Sequence, residues 1–299
     1  MAVLELRHLR YLLAVAEHGN FTRAAEDLYI SQPTLSQQIK QLEQSVGVQL
    51  LDRTGRTVRL TDAGEAYADH ARRALRELAA AERAVHDVRD LSRGHVRLGV
   101  TPTFTAYFVG PLIAELHTRH PGIGLTLTEL PQDRIEIALL ADDLDIGIAF
   151  TGPHAPGIVA TALFTETLSL VVSAARALSG PLPLSALKDE QLALLSGDFA
   201  TRGHIDAYLA DHHIAPRIAV EANTIQALTE IVQRTGLATV LPDAITDDHP
   251  NLTPISLDPP LPARTVALLQ RRSAYHSAAS LAFAELIADL VQARGYRPA

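Results

Sequence analysis

The chain has 299 residues, 47% of them hydrophobic, enough for two or three domains with proper cores. It contains no cysteine, which excludes disulfides, thiol chemistry and cysteine-based zinc sites. The net charge of −8 argues against a nucleic-acid partner only until its distribution is read: residues 1–94 hold 13 Lys+Arg and 13 Asp+Glu, and the excess falls on the remainder, 13 against 21. The N-terminus has no apolar signal region, and no uncharged apolar run reaches about 18 residues, so a soluble cytoplasmic protein is expected.

Leu6, Leu9, Leu12, Leu13 and Ala16 give residues 5–18 a helical stripe, and Gly19 ends that helix. Asn20 is placed to cap a second helix through Phe21–Leu28, where Ala24 and Ala25 permit a close crossing. Tyr29 and Ile30 make the turn. Ser31 is an N-cap, and Pro33 sits in a first turn, where its missing N–H costs nothing. Leu35, Ile39, Leu42 and Val46 then form one buried stripe. The opposite face presents Pro33, Ser36, Gln37, Lys40 and Gln44, with Ser31, Gln32 and Thr34 at its start.

This is the pattern of a helix–turn–helix. Ser and Gln can read base edges in the major groove, and Lys40 can hold a phosphate or a guanine. The same residues would also suit an antiparallel helix pair with a solvated polar face. Gln49–Leu60 reads as a hairpin with Thr54-Gly55 at its tip, the position of a wing. Its Arg53, Arg56 and Arg59 suit the phosphate backbone or the minor groove; otherwise they are simply solvated.

Residues 62–91 read as one long helix, with Asp62 and Glu65 spaced as a capping box. Tyr67, Ala71, Ala74, Leu78, Ala81, Val85 and Val88 repeat in steps of four and three, a heptad seam. Arg72, Arg73, Arg76, Glu77, Glu82 and Arg83 lie off it. The seam fits a dimer helix, or a helix packed on its own domain; two-fold pairing would extend the DNA contact of a single winged helix.

Ser92-Arg93-Gly94 reads as a hinge. Beyond it strands and helices alternate: strand 95–100, helix Phe104–Arg119, strand 123–130, helix Asp133–Leu140 and strand 144–150, a βαβαβ unit with a mostly parallel sheet. A second unit follows, with strands near 163–173 and 191–196, helix 203–213, strand 217–222, helix 224–235 and strand 237–241. A strand at 264–271 and a helix Ser277–Arg294 close the chain.

With FTRAAEDLYISQPTLSQQIKQLE, LLDRTGRTVRLTDAG, the long helix and two α/β units in this order, the chain resembles the LysR-type transcriptional regulators over its whole length. The stretches AVAEHGNFTRAA, VTPTFTAYFVGPL, DDLDIGIAF, LLSGDFATR, VEANTIQAL and LATVLP resemble members that control cyanate degradation. The resemblance implies an α/β fold with an N-terminal winged helix–turn–helix (1–61), a linker helix and hinge (62–94) and a two-lobed, periplasmic-binding-protein-like effector domain (95–299). Lobe one is expected at about 95–163 and 270–299, lobe two at about 164–269.

It further implies a homodimer through the linker helices, a tetramer of two dimers, and an inverted-repeat promoter site on double-stranded DNA. RNA polymerase is the expected further partner. A small anionic effector, cyanate, is expected between the lobes; an aromatic acid or amino-acid intermediate is the alternative.

In such a fold the ligand lies beyond the carboxyl ends of the strands. Thr101, Thr103 and Phe104 arrive there from the first lobe, with Phe150 nearby. Phe199, Thr201 and Arg202 arrive from the second lobe, and Asn223 opens another helix. Hydroxyls, helix-start N–H groups and the Arg202 charge suit an anion. Alternatively, Thr101 and Thr103 simply cap the helix, the phenylalanines are core, and Arg202 points to solvent or pairs with Asp198. No nucleophile elbow, phosphate loop or dinucleotide fingerprint is present, so no enzyme is expected. The pairs His212/His213 and His117/His120 lack the carboxylates of a metal site, and no metal or cofactor is expected.

Overall fold

The computed structural model describes residues 5–87, 94–176, 178, 180–247 and 249–299, with the backbone alone for 80 and 82–87. The chain forms two compact units, Met1–His86 and Asp87–Ala299. The expected hinge residues Ser92 and Arg93, the seam position Val88 and the side chains of Glu82, Arg83 and Val85 lie outside the described residues.

In the first unit, α1 (Leu6–His18) ends at Gly19, whose φ of 58° is left-handed. The Asn20 side chain accepts from the N–H groups of Thr22 and Arg23 at 2.8 and 3.2 Å and starts α2 (Phe21–Asp27). Ser31 caps α3 (Gln32–Val46), with Pro33 in its first turn. Leu12, Val15, Ala24, Ala25, Leu35, Ile39 and Leu42 share one core with Leu50 and Leu51.

Two expectations shift here. The buried face of α1 falls on His8, Leu9, Leu12, Ala14 and Val15, and Leu6 is exposed. Val46 is 38% exposed, because α3 has run past the core before Gly47 ends it.

Strands β1 (Leu51–Asp52) and β2 (Arg59–Leu60) pair antiparallel as the expected wing. The long helix α4 (Asp62–Asp87) follows. Its cap is Thr61, one residue before the expected Asp62: the Gly64 N–H donates to the Thr61 hydroxyl at 3.0 Å, and Thr61 donates to the Gln49 carbonyl at 2.8 Å. A Cβ on Gly64 would lie 2.0 Å from the Leu50 carbonyl oxygen, so only glycine permits this approach.

The second unit has two lobes. Lobe one opens with β3 (Gly94–Val100), α5 (Pro102–Thr105), α6 (Val109–Arg119), β4 (Ile123–Glu129), α7 (Gln132–Leu140), β5 (Ile146–Phe150) and β6 (Ile158–Glu166). Lobe two holds β7 (Leu168–Ser173), β8 (Leu182–Pro183), β9 (Gln191–Leu195), α8 (Ala200–Asp211), β10 (Arg217–Ala222), α9 (Ile225–Arg234), β11 (Thr239–Pro242), α10 (Asp243–Thr246), β12 (Leu252–Ile255) and β13 (Leu257–Asp258). The chain then returns to lobe one with β14 (Arg264–Arg271) and α11 (Ala278–Ala293).

The lobe-one sheet has the order β4-β3-β5-β14-β6, with β3 parallel to β4 and β5, and β14 antiparallel to β5 and β6. The helix α11 packs on α6 and β3. In lobe two, β11-β7-β12 is antiparallel and β9 runs parallel to β10.

Because β6 and β14 pair along their full lengths, the crossings between lobes fall after Glu166 and before Arg264, not at the expected 163/164 and 269/270. The expected strand 163–173 is therefore two strands. The expected helix Phe104–Arg119 is broken after Thr105. Pro111 has no N–H for the Tyr107 carbonyl, and its ring crowds that oxygen, so α6 starts afresh.

Candidate functional site

The helix–turn–helix sets a polar ridge outward. Ser31 accepts from the Thr34 N–H at 3.3 Å, and the two hydroxyls are 2.7 Å apart. Gln32, Pro33, Thr34, Gln37 and Lys40 are exposed and Ser36 is half-buried. The neighbouring Gln38 is occupied instead, bonded to His8 at 3.0 Å and Gln41 at 3.1 Å. Tyr29, with φ of 55°, stands 95% exposed at the turn, beside the ridge but not among the DNA-facing residues expected from the sequence.

Arg53 and Arg56 differ. Arg56 is exposed at the wing tip. Arg53 donates to Glu43 at 2.8 Å and lies 5.0 Å over the Phe21 ring, so it fastens the wing to α3 as well as facing solvent. Between α3 and the wing runs a groove of about 750 Å³ lined by Lys40, Glu43, Asp52, Arg53 and Thr54. Asp52 accepts from the Thr54 hydroxyl and N–H, and these bonds, with the Arg59 charge, hold its carboxyl below the usual carboxylate range.

The second unit carries a cavity of about 310 Å³ between its lobes. Lobe one supplies Thr101, Pro102, Thr103, Pro131, Gln132 and Asp133; lobe two supplies Gly197, Asp198, Phe199, Ala200 and Gly203. The first turns of α7 and α8 face it, and neither has a side-chain cap on its free N–H groups. Asp133 and Asp198 are exposed at its rim. The Thr101 hydroxyl is buried without a partner. A second chamber of about 360 Å³ shares Pro102 and Phe199 and is lined by Thr105, Glu129, Asn223 and Gln226.

The structure thus brings Thr101, Thr103 and Phe199 together around one cavity and sets Asn223 on the neighbouring chamber. Phe104 is wholly buried in the core. Phe150 packs on Phe104, ring centroids 5.2 Å apart. Arg202 corrects its expected role. Its guanidinium is committed to Asp206 at 2.8 Å, Glu221 at 3.0 Å and the Leu195 carbonyl at 2.7 Å, and it lines neither cavity.

Thr201 is fully buried behind the wall and bonds Thr103 across the lobes at 3.1 Å. Beside it lies the nearly buried Arg264, a cation outside the candidate residues expected from the sequence. It donates to Thr201 at 2.8 Å and Glu166 at 2.5 Å, and lies 3.8 Å over the Phe150 ring. Glu166 also accepts from Tyr107 at 2.6 Å; burial and then the Glu166 charge push that phenol well above the ordinary tyrosine range. The one signal in the sequence is a charged residue at the lobe-crossing end of each of two strands, Glu166 closing β6 and Arg264 opening β14.

Two family models match. One, described as "LysR substrate binding domain", covers residues 89–292; the other, "Bacterial regulatory helix-turn-helix protein, lysR family", covers 6–65. The chain belongs to the LysR family: it is a DNA-binding transcriptional regulator with an effector-binding domain. It is 40% identical to the HTH-type transcriptional regulator AlsR of Bacillus subtilis (strain 168), over 55% of this chain and 53% of that one. It is 33% identical to the nitrogen assimilation regulatory protein nac of Klebsiella aerogenes, over 81% and 79%.

Among solved structures, a full-length OxyR variant from Pseudomonas aeruginosa matches with a TM-score of 0.69 at 24% identity, over 98% of this chain and 96% of that one. CbnR complexed with its target DNA matches at 0.56 and 24%, over 96% and 100%. Among the described residues no helix is long and apolar enough to cross a membrane.

Proposed function

We propose that this regulator binds an inverted-repeat promoter site through Ser31–Lys40 and its wing, and that a small anion held between the lobes sets how it binds. The observation that carries the effector reading is the unpartnered, buried Thr101 hydroxyl in a cavity faced by two uncapped helix starts. Cyanate is the first anion to test. A second reading is favoured by Pro102, Pro131, Phe199 and the volume of about 310 Å³: a carboxylate with an apolar body, such as an aromatic acid.

The protomers pair through α4 and assemble as a tetramer that meets RNA polymerase in the cytoplasm. Exposed Ala74, Leu78 and Ala81 on the seam support the pairing. Ligand favours one lobe arrangement, and the bound DNA changes with it.

The test is a footprint on the region upstream of the chain's own gene, with and without cyanate or benzoate. A specific footprint that changes with one of them is expected. Absence of any protection would overturn the operator assignment, and a footprint indifferent to both cyanate and benzoate the effector assignment. Ser36→Ala or Gln37→Ala should weaken specific binding by about 1–3 kcal/mol and spare non-specific binding.

A further inference from the structure

We propose that Arg264 is a positioning residue that sets the ligand preference of the interlobe cavity, acting through Thr201 and Thr103 so that the cavity selects a negatively charged acceptor. The inference rests on reading this cavity as the effector site. A guanidinium only donates. Arg264, its side chain 9% exposed, is held by Glu166, by the Phe150 ring and by Thr201.

The Thr201 hydroxyl therefore receives a donor from Arg264, and its own proton needs an acceptor. Among the described residues the one acceptor at hand is the Thr103 hydroxyl, 3.1 Å away on the other lobe. Thr103, having accepted, is left with a proton to donate, and Thr103 lines the cavity. We infer the direction of the chain from its far end: Arg264 to Thr201, Thr201 to Thr103, Thr103 to the occupant. Thr101 adds a second hydroxyl that lacks a partner.

Hydrogen bonds in series polarise one another, so the buried charge strengthens the last donor although no cation touches the ligand. An anion gains most from that donor, since bonds to charged acceptors are the stronger ones. The exposed rim carboxylates Asp133 and Asp198 lie in solvent, where their repulsion is screened.

The test is calorimetric binding of cyanate, formate and benzoate to the full chain, with formamide and benzamide as neutral counterparts. Variants are Thr201→Val, Thr103→Val, the double variant and Thr101→Val, each checked for native melting. The intact chain should prefer the anions. Thr201→Val, which leaves the Arg264–Glu166 pair in place, should weaken anion binding by about five- to tenfold and narrow the preference over the amides.

The double variant should be no weaker than the poorer single one, because both changes cut one chain. Thr101→Val combined with Thr201→Val should multiply. Anion binding unaltered by Thr201→Val, or multiplying losses for Thr103 and Thr201, would overturn the relay while leaving the cavity as the effector site. Failure of the intact chain to bind any of these anions would overturn both.

Discussion

Glu43 holds three donors at once: the N–H groups of Leu50 and Leu51 at 3.0 and 3.1 Å, and the Arg53 guanidinium. Glu43→Ala leaves these without their acceptor and should cost about 1–3 kcal/mol, read as a lower denaturation midpoint with an unchanged slope. Tyr107 makes a pH prediction. Its raised pKa in the folded state means that its contribution is complete below the unfolded tyrosine value of about 10 and is lost as the pH rises beyond it. Tyr107→Phe should make the fall of melting temperature above pH of about 10 shallower. At neutral pH it should be less stable, since Glu166 loses a donor.

The helix α4 buries the start of its seam and leaves the rest exposed. Tyr67 and Ala71 pack within their own unit, whereas Leu78 is 41% exposed, with Ala74 and Ala81 beside it. If the proposed pairing through α4 holds, Leu78→Glu should raise the dimer dissociation constant at least about tenfold in sedimentation equilibrium, by the size of a buried leucine contribution. Most element ends were legible in the sequence because capping is local chemistry: Asn20, Ser31, Gly19 and Ser277 act within a few residues of themselves. The break after Thr105 needed Pro111 to be weighed against a strong apolar pattern. The buried Arg264 network was not legible, because Thr103 and Thr201, and Glu166 and Arg264, are each 98 residues apart. Arg202 misled for the same reason: proximity to Thr201 in sequence says nothing of Glu221, which helps claim its charge.

Across the whole molecule, the surplus negative charge lies beyond residue 94 and the polar ridge of α3 is nearly uncharged apart from Lys40. Affinity for phosphate must then come from few groups. Arg56→Ala should lower binding to all sequences and reduce the slope of log affinity against log salt by about 0.9. Ser36→Ala should leave that slope unchanged. The seat of Gly64 against the Leu50 carbonyl bears on how a signal travels. Thr61 is tied to Gln49 and Tyr67 packs on the winged core, so the start of α4 and the wing are joined by close contacts. On the proposed mechanism, a twist of that helix would reach the wing through this joint, as a wrench turns a bolt head. Gly64→Ala would force the joint apart at about 1–3 kcal/mol, and should uncouple effector from footprint before it abolishes either.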